Sequence, residues 1–272
     1  MKLETSIKAL TNFYWLARKS RLLDTVLGQR AFSASYFLYK RYLEDPYHDL
    51  VERHPELFRG GNILDIGANI GYTATVFSRV VGPDNKVYAF EPERFNYDLL
   101  ERSARAPKTL QRIVPIHSAV GDRDGTVELW ENEHHHGDHR ILTDQFRQTA
   151  VLSGAVAVPI MRVDTFLAKQ SAEFPVRFIK VDVQGYELPV CKGMERTLTI
   201  NPRGILALEY MPSAMRELGF QPEELINWLQ QRDYKVYTLE KHGRLRPGIG
   251  DISDRHSYCD LLFSRENLSE LG

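Results

Sequence analysis

A chain of 272 residues, 43% of them apolar and 26% charged, can bury the core of one large domain, and this composition excludes a disordered or fibrous protein. Its 35 Lys and Arg against 36 Asp and Glu leave a formal charge of -1, without the basic footprint that binding to a nucleic-acid backbone requires. Cys191 and Cys259 form no metal-spaced pair, and no segment has a secretory h-region or a transmembrane length, so a cytoplasmic protein in a reducing compartment, with no nucleic-acid or membrane partner, is expected.

From about Ser6 to Tyr42, apolar residues at three- and four-residue spacings (Leu10, Phe13, Tyr14, Ala17, then Leu22, Leu23, Val26, Leu27) predict helix. Lys8, Arg18, Lys19, Arg21, Arg30, Lys40 and Arg41 make this region basic, which reads as the solvated face of a cap. Residues 1–45 are expected to form an N-terminal helical arm and residues 46–272 the main domain. From Asn62 onward strands and helices alternate. "NILDIG", "KVYAFEP", "RIVPIHSAV", "VRFIKVDVQ" and "GILALEY" read as strands, while Tyr72 to Val81, Phe95 to Ala106 and Glu187 to Leu198 read as helices. That alternation predicts a parallel sheet built from βαβ units. Between Gly121 and Leu167, "TVELWEN" and "AVAVPIMRV" look like a hairpin around a polar loop. At the C-terminus "YKVYTLE" and "SYCDLLFSR" follow each other without a helix, so they pair antiparallel and put a reversed strand at the sheet edge. The predicted fold is α/β and Rossmann-like, with a mostly parallel seven-stranded sheet and a reversed edge strand.

Asp65 ends the first strand, and Gly67 to Gly71 bridge it to a helix N-terminus. Glycines there let backbone N–H groups approach a negatively charged ligand group. Glu91, about twenty residues on, ends the second strand and suits the two hydroxyls of an adenosine ribose. The spacing is Gly-x-x-x-Gly, without the close approach that a pyrophosphate needs, and Asp65 would oppose phosphates but help hold an ammonium group. Together with the reversed C-terminal strand, these features point to S-adenosylmethionine. Asp65, Gly67, Asn69 and Gly71 are the expected cofactor residues, with Tyr72 and Thr73 opening the helix toward the cofactor carboxylate. Ser118 and Ala119 are expected near adenine.

"NILDIGANIGYTA", "VYAFEP", "IVPIHSAVGDRDG", "RVDTFL" and "FIKVDVQGYELPVCKGM" resemble the successive motifs of the FkbM-type methyltransferases, from about Asp45 to Ser264. The most specific stretch is Ile179 to Glu187. Gln184 departs from the many members that carry Glu at that place. The resemblance implies a class I methyltransferase fold, S-adenosyl-L-methionine as donor with S-adenosylhomocysteine as product, and a hydroxyl acceptor on a sugar or secondary metabolite. Some members also share Gly137-Asp138-His139-Arg140, which brings His139 and Arg140 into consideration.

Lys180 and Asp182 lie two apart on a strand and face the same side. Charges in a central strand are costly unless paired, and Glu209, ending "ILALEY", is the expected partner of Lys180. Asp182, His139 and Glu209 are the candidate catalytic residues, with Asp182 or His139 as base toward the hydroxyl and Asp182 also beside the cofactor. Glu187 is expected to support the helix that follows it. A divalent metal is not expected; Asp182 and Glu209 are the carboxylates that would hold one. "EHHHGDH" reads as a lid loop in which His134, His135 and His136 close over a small-molecule or saccharide acceptor. The N-terminal arm is expected to cover that acceptor cleft and to form a homodimer. Two other classes fit a Rossmann-like chain: a nicotinamide-dependent oxidoreductase, and a non-catalytic interaction module.

Overall fold

The computed structural model describes residues 22–44, 46–132, 137–149, 154–170, 174–250 and 258–269. The stripe Leu10, Phe13, Tyr14, Ala17 and the triplet His134 to His136 lie outside the described residues.

The main sheet begins with β1 (Asn62–Ile66), whose five residues are all buried. It is flanked in parallel by β2 (Val87–Phe90) and by β8 (Val176–Val181). β3 (Ile113–Ile116) continues in parallel beyond β2, and β9 (Ile205–Tyr210) beyond β8. β12 (Cys259–Ser264) then runs antiparallel between β9 and β10 (Lys235–Leu239), and the short β11 (Leu245–Pro247) pairs antiparallel with β10. The order is β11-β10-β12-β9-β8-β1-β2-β3. This is the expected α/β arrangement with two differences in detail. Among the described residues the main sheet has eight strands where seven were expected, and the reversed strand β12 sits inside the sheet, with β10 and then β11 between it and that edge. The physical reason is that β10 and β12, thirty residues of chain apart at their far ends, pair with β12 inserted against β9. Leu261, Leu262 and Phe263 are thereby fully buried.

The hairpin expected between Gly121 and Leu167 is present as β5 (Gly125–Trp130) against β7 (Ala155–Met161). Its small sheet includes β6 (Arg140–Ile141) and β4 (Ala119–Val120). The single strand expected over "RIVPIHSAV" thus divides at His117-Ser118, with one half in each sheet. The single helix expected over Glu187 to Leu198 also divides, into Glu187–Gly193 and Glu195–Ile200, where Gly193 packs on the backbone of Gly121. A Cβ on Gly193 would stand 1.8 Å from the Gly121 carbonyl oxygen.

Side-chain alternation along the strands divides the core in two. Ile63, Phe178, Ala207 and Leu262 face one apolar cluster; Leu64, Ile179, Leu206 and Leu261 face the other. Phe58, Phe77 and Phe178 meet with ring centroids 4.4–5.4 Å apart in the first cluster. The helix Val26–Tyr39, capped by Thr25 through its bond from the Gly28 N–H, lies on that same face. Its Phe32 is fully buried there, so this part of the expected arm is a layer of the core. Phe178→Ala is expected to lower unfolding free energy by roughly 3–5 kcal/mol, because two aromatic neighbours lose their packing partner. Urea denaturation measures this, and a midpoint equal to wild type would contradict the assignment.

Candidate active site

A cavity of about 270 Å³ opens at the carboxyl ends of β1, β2, β8 and β9, the edge at which parallel α/β sheets bind ligands. One wall is the glycine loop, with Gly67, Asn69, Tyr72, Thr73, Glu91, Ser118 and Ala119. A second wall, adjoining the first at Gly67, carries Lys180, Asp182, Gln184 and Glu209, and His139 also lines the cavity. Tyr36, Tyr39 and Lys40, from the end of the N-terminal helix, close a third side.

Protein contacts shape the loop. Gly67 has φ +76°, and a Cβ there would lie 1.8 Å from the Asp182 carbonyl oxygen, so β1 and β8 can meet only at a glycine. A Cβ on Gly71, at φ +86°, would meet Leu100 at 2.7 Å. Between them Ser103 donates its hydroxyl hydrogen to the Ile70 carbonyl at 2.8 Å. The Asn69 N–H donates to Glu91 Oε2 at 2.8 Å, and the Glu93 N–H donates to Glu91 Oε1 at 3.0 Å. Burial pushes the Glu91 carboxyl up to about 8. Ser118 spends its hydroxyl on the carbonyls of Ala119 and Pro159, so it presents mainly backbone.

Two expected cofactor residues do not reach the cavity. Gly71 faces the helix Arg94–Ala104. Asp65 is fully buried, and its partner is Lys180, whose Nζ lies 3.6 Å from Asp65 Oδ1. Lys180 also reaches Asp182 Oδ2 at 3.1 Å and the Gly67 carbonyl at 3.2 Å. The expected Lys180–Glu209 pair is therefore corrected. Strand register sets Lys180 beside Asp65 on one flank and Ala207 on the other, which leaves Glu209 one step further, level with Asp182. Burial opposes the Lys180 charge, but Asp182 and Asp65 outweigh it and hold the ammonium above its ordinary value. Burial likewise works to raise Asp182, but Lys180, Lys40 and hydrogen bonds from Glu209 and Gln184 together more than offset it, keeping that carboxyl below the usual range.

Glu209 goes the other way. Burial, then the neighbouring Asp182 and Asp260, raise its carboxyl well above the ordinary value. Gln184 bridges the two acids, which are also within hydrogen-bond reach of each other: its Nε2 donates to Asp182 Oδ1 at 2.9 Å and to Glu209 Oε2 at 2.8 Å. An amide NH₂ in that place does not fit a cation bridging the same two oxygens. Among the described residues, the three-ligand grouping within metal reach is His48, Asp49 and Glu52, and it includes neither acid. Glu187, expected to support the helix that follows it, accepts the Val183 and Gly185 N–H groups and so ties the turn between β8 and that helix. Asp260, on the reversed strand beside Glu209, was not singled out by sequence reasoning. An Asp inside the apolar run "YCDLLF" was the available signal. Tyr47 donates to it at 3.0 Å, and burial lifts it to about 6.

His139 lines the cavity with a defined tautomer. The Asn132 N–H donates to its Nδ1 at 3.1 Å, so the neutral ring carries its proton on Nε2 and acts as a donor. This departs from the expectation of His139 as a base. Asp138 accepts from Asn132 and Arg140, tying that end of the loop down.

The methyltransferase FkbM domain matches residues 65–236, which spans both walls of this cavity. The chain belongs to the FkbM methyltransferase family. That membership sets the nicotinamide reading aside. The hexuronic acid methyltransferase AglP of Haloferax volcanii is 31% identical over 139 residues, covering 50% of this chain and 51% of AglP. The chain thus spans about half the length of that relative. The methyltransferase sdnD of Sordaria araneosa is 25% identical over 203 residues, covering 66% of this chain and 76% of its own. Among solved structures, the O-methyltransferase TomG of Streptomyces achromogenes, in complex with SAM, superposes with a TM-score of 0.45 at 13% identity over 80% of this chain and 78% of that one. No described helix is long and apolar enough to cross a membrane.

Asp65→Asn should destabilise the protein by roughly 1–3 kcal/mol, since Lys180 keeps Asp182 and the Gly67 carbonyl but loses one of its two carboxylate neighbours. Denaturant unfolding checks this; a loss under about 1 kcal/mol would contradict it. Glu91 gives a pH signature. Its folded value is raised from 4.5 to about 8, so its contribution to stability is complete below 4.5 and is lost as pH rises through about 8. The melting temperature of unliganded Glu91→Gln should fall less than that of wild type between those limits. Parallel curves would refute the assignment.

Proposed function

We propose that this chain transfers the methyl group of S-adenosylmethionine to a hydroxyl of a small-molecule acceptor, a saccharide bearing a uronic acid being the first to try. The observation that carries this reading is one cavity with two unlike walls. The first is a glycine loop with Glu91 at a strand end; the second is a carboxylate and an acid, and an imidazole donor also lines the cavity. Family membership supports the donor, and AglP, a hexuronic acid methyltransferase by name, supports the acceptor class.

The residues present fit the donor. Glu91 would accept from the ribose hydroxyls, Ser118 and Ala119 would offer backbone and a flat wall to adenine, and Gly67, Asn69 and Thr73 would line the amino-acid end. The bound donor supplies an electrophilic methyl carbon and a thioether leaving group. Asp182, ionised beside Lys180, accepts the acceptor's hydroxyl proton as its oxygen forms the new bond. His139 donates from Nε2 to an acceptor oxygen and orients it. Lys40, a second cation on the cavity wall, suits an acceptor carboxylate. No step uses a metal. The cytoplasm is the proposed location. A second copy of the chain is the proposed partner, because Leu27, Leu38 and Tyr42 expose an apolar row on the N-terminal helix and the turn after it.

Titration calorimetry with S-adenosylhomocysteine tests the donor half. Glu91→Ala should weaken binding by roughly ten- to hundredfold. No measurable binding to wild type, or unchanged affinity in a folded variant, would sink it in favour of a non-catalytic module. For the acceptor half, labelled donor is incubated with uronic-acid saccharides and with their neutral counterparts. His139→Ala should lower turnover by roughly tenfold or more while leaving the acidic limb of the pH profile in place, as a donor and not a base would. Loss of that limb would reverse the two roles.

A further inference from the structure

Four neighbouring strands each bring an acid to the same end and the same face of the sheet. Register places Asp65 of β1 beside Lys180, and Glu209 of β9 beside Asp260 of β12. Asp182, one step beyond the paired ends of β8 and β9, falls level with Glu209. The charged and titratable groups around this row are Lys180 from β8, Lys40 from the turn after the N-terminal helix, Tyr47 from the helix Tyr47–Arg53, and, on the shared cavity, Glu91, His139, Tyr36, Tyr39, Tyr72 and Tyr258. Lys180 is committed to Asp65, Asp182 and the Gly67 carbonyl, so Glu209 has no share of it.

Gln184 is built to stand where it does. Its backbone lies in the left-handed region at φ +54°, which turns the chain back over the strand ends. Gly185 follows, and a Cβ there would strike the Ala214 backbone at 2.7 Å, so the turn is pressed against the helix Pro212–Glu217. Glu187 accepts two N–H groups from the same turn. These contacts fix one amide nitrogen with a hydrogen for each acid. A neutral donor can join two carboxyl groups without deciding which is charged; Lys40 acts on both acids, and Lys180, on the Asp182 side alone, tips the balance toward a charged Asp182.

Resting on the methyl-transfer reading above, we infer that Gln184 is the positioning residue of the reaction, holding Asp182 as the anion that takes the acceptor's proton and Glu209 as the neutral acid beside it. The balance is simple. The acceptor O–H bond breaks with its proton going to Asp182, the O–CH₃ bond forms, the S–CH₃ bond breaks, and the thioether leaves uncharged. The raised Glu209 carboxyl agrees with an acid that keeps its proton through the cycle.

One test needs no acceptor. In protein carrying ¹³C-labelled Asp and Glu side chains, saturated with S-adenosylhomocysteine, Asp182 should titrate below the ordinary range and Glu209 well above it. Resonances are assigned with Asp182→Asn and Glu209→Gln. In Gln184→Leu the Asp182 midpoint should rise by about 1–2 pH units, because an ionised group loses a hydrogen bond. An unmoved midpoint overturns the inference, whatever the acceptor proves to be. Gln184→Glu keeps the shape and serves if the leucine variant does not fold. It adds a third acid, so the Asp182 midpoint should again rise, and no change overturns the inference. With an acceptor in hand, Gln184→Leu should lower kcat by roughly ten- to hundredfold and move the acidic limb upward, with S-adenosylhomocysteine affinity within about twofold of wild type. A parallel collapse of cofactor affinity would mark Gln184 as structural only. Loss of wild-type activity in EDTA with rescue by magnesium would also overturn it, since the amide would then stand in a metal's place.

Discussion

A buried ammonium holds the centre of this structure. Lys180 sits in the middle of a parallel sheet, where leaving water costs several kcal/mol that packing cannot return. Asp65 on β1, Asp182 just past β8 and the Gly67 carbonyl enclose it. Satisfying that one charge requires the ends of β1 and β8 to lie in a fixed register and at close approach. The approach is so close that the Asp182 carbonyl occupies the space of a Gly67 side chain. Gly67 is thus a glycine for the sake of the neighbouring strand, whatever ligand the loop also meets.

The two halves of the site are coupled through this contact. The carboxylate proposed to take the acceptor's proton is held charged by Lys180 together with Lys40 and its hydrogen bonds, and the backbone of Asp182 itself sets the start of the glycine loop. Further along, Ser103 and Leu100 hold the loop from the helix Arg94–Ala104, while Glu91 holds it from β2. A loop constrained on three sides is pre-formed, so little conformational entropy remains to be lost when a ligand enters.

The N-terminal helices belong to this arrangement. The polar ends of β1, β8, β9 and β12 share the sheet face covered by Phe32, Tyr36 and Tyr47. Tyr47 supplies a hydrogen bond to Asp260 there, and Lys40 brings a second positive charge, after Lys180, to a row of four acids. Removing that layer would expose the acids to water and erase the differences between them.

Much of this was legible in the chain as written. The strand and helix pattern from Asn62, the hairpin around β5 and β7, the antiparallel C-terminal pair, and the placement of Glu91, Asn69, Asp182 and Glu209 on one cavity follow from local signals, while His139 entered through the family resemblance. Periodicity and glycine spacing act over a few residues, and the end of a parallel strand is where a ligand binds. What the sequence could not decide was which charges meet. Asp65 and Lys180 are 115 positions apart, and their pairing depends on strand register, which one residue's slip would undo. The same holds for Gln184, which looked like a lost charge in the chain and stands in the fold as an amide joining two acids. It holds again for His139, whose tautomer is set by a single backbone N–H from Asn132. Sequence determined which groups arrive at the sheet's edge; only tertiary packing decided their partners and hence their charges, because electrostatics in a buried site depends on distances that no local pattern encodes.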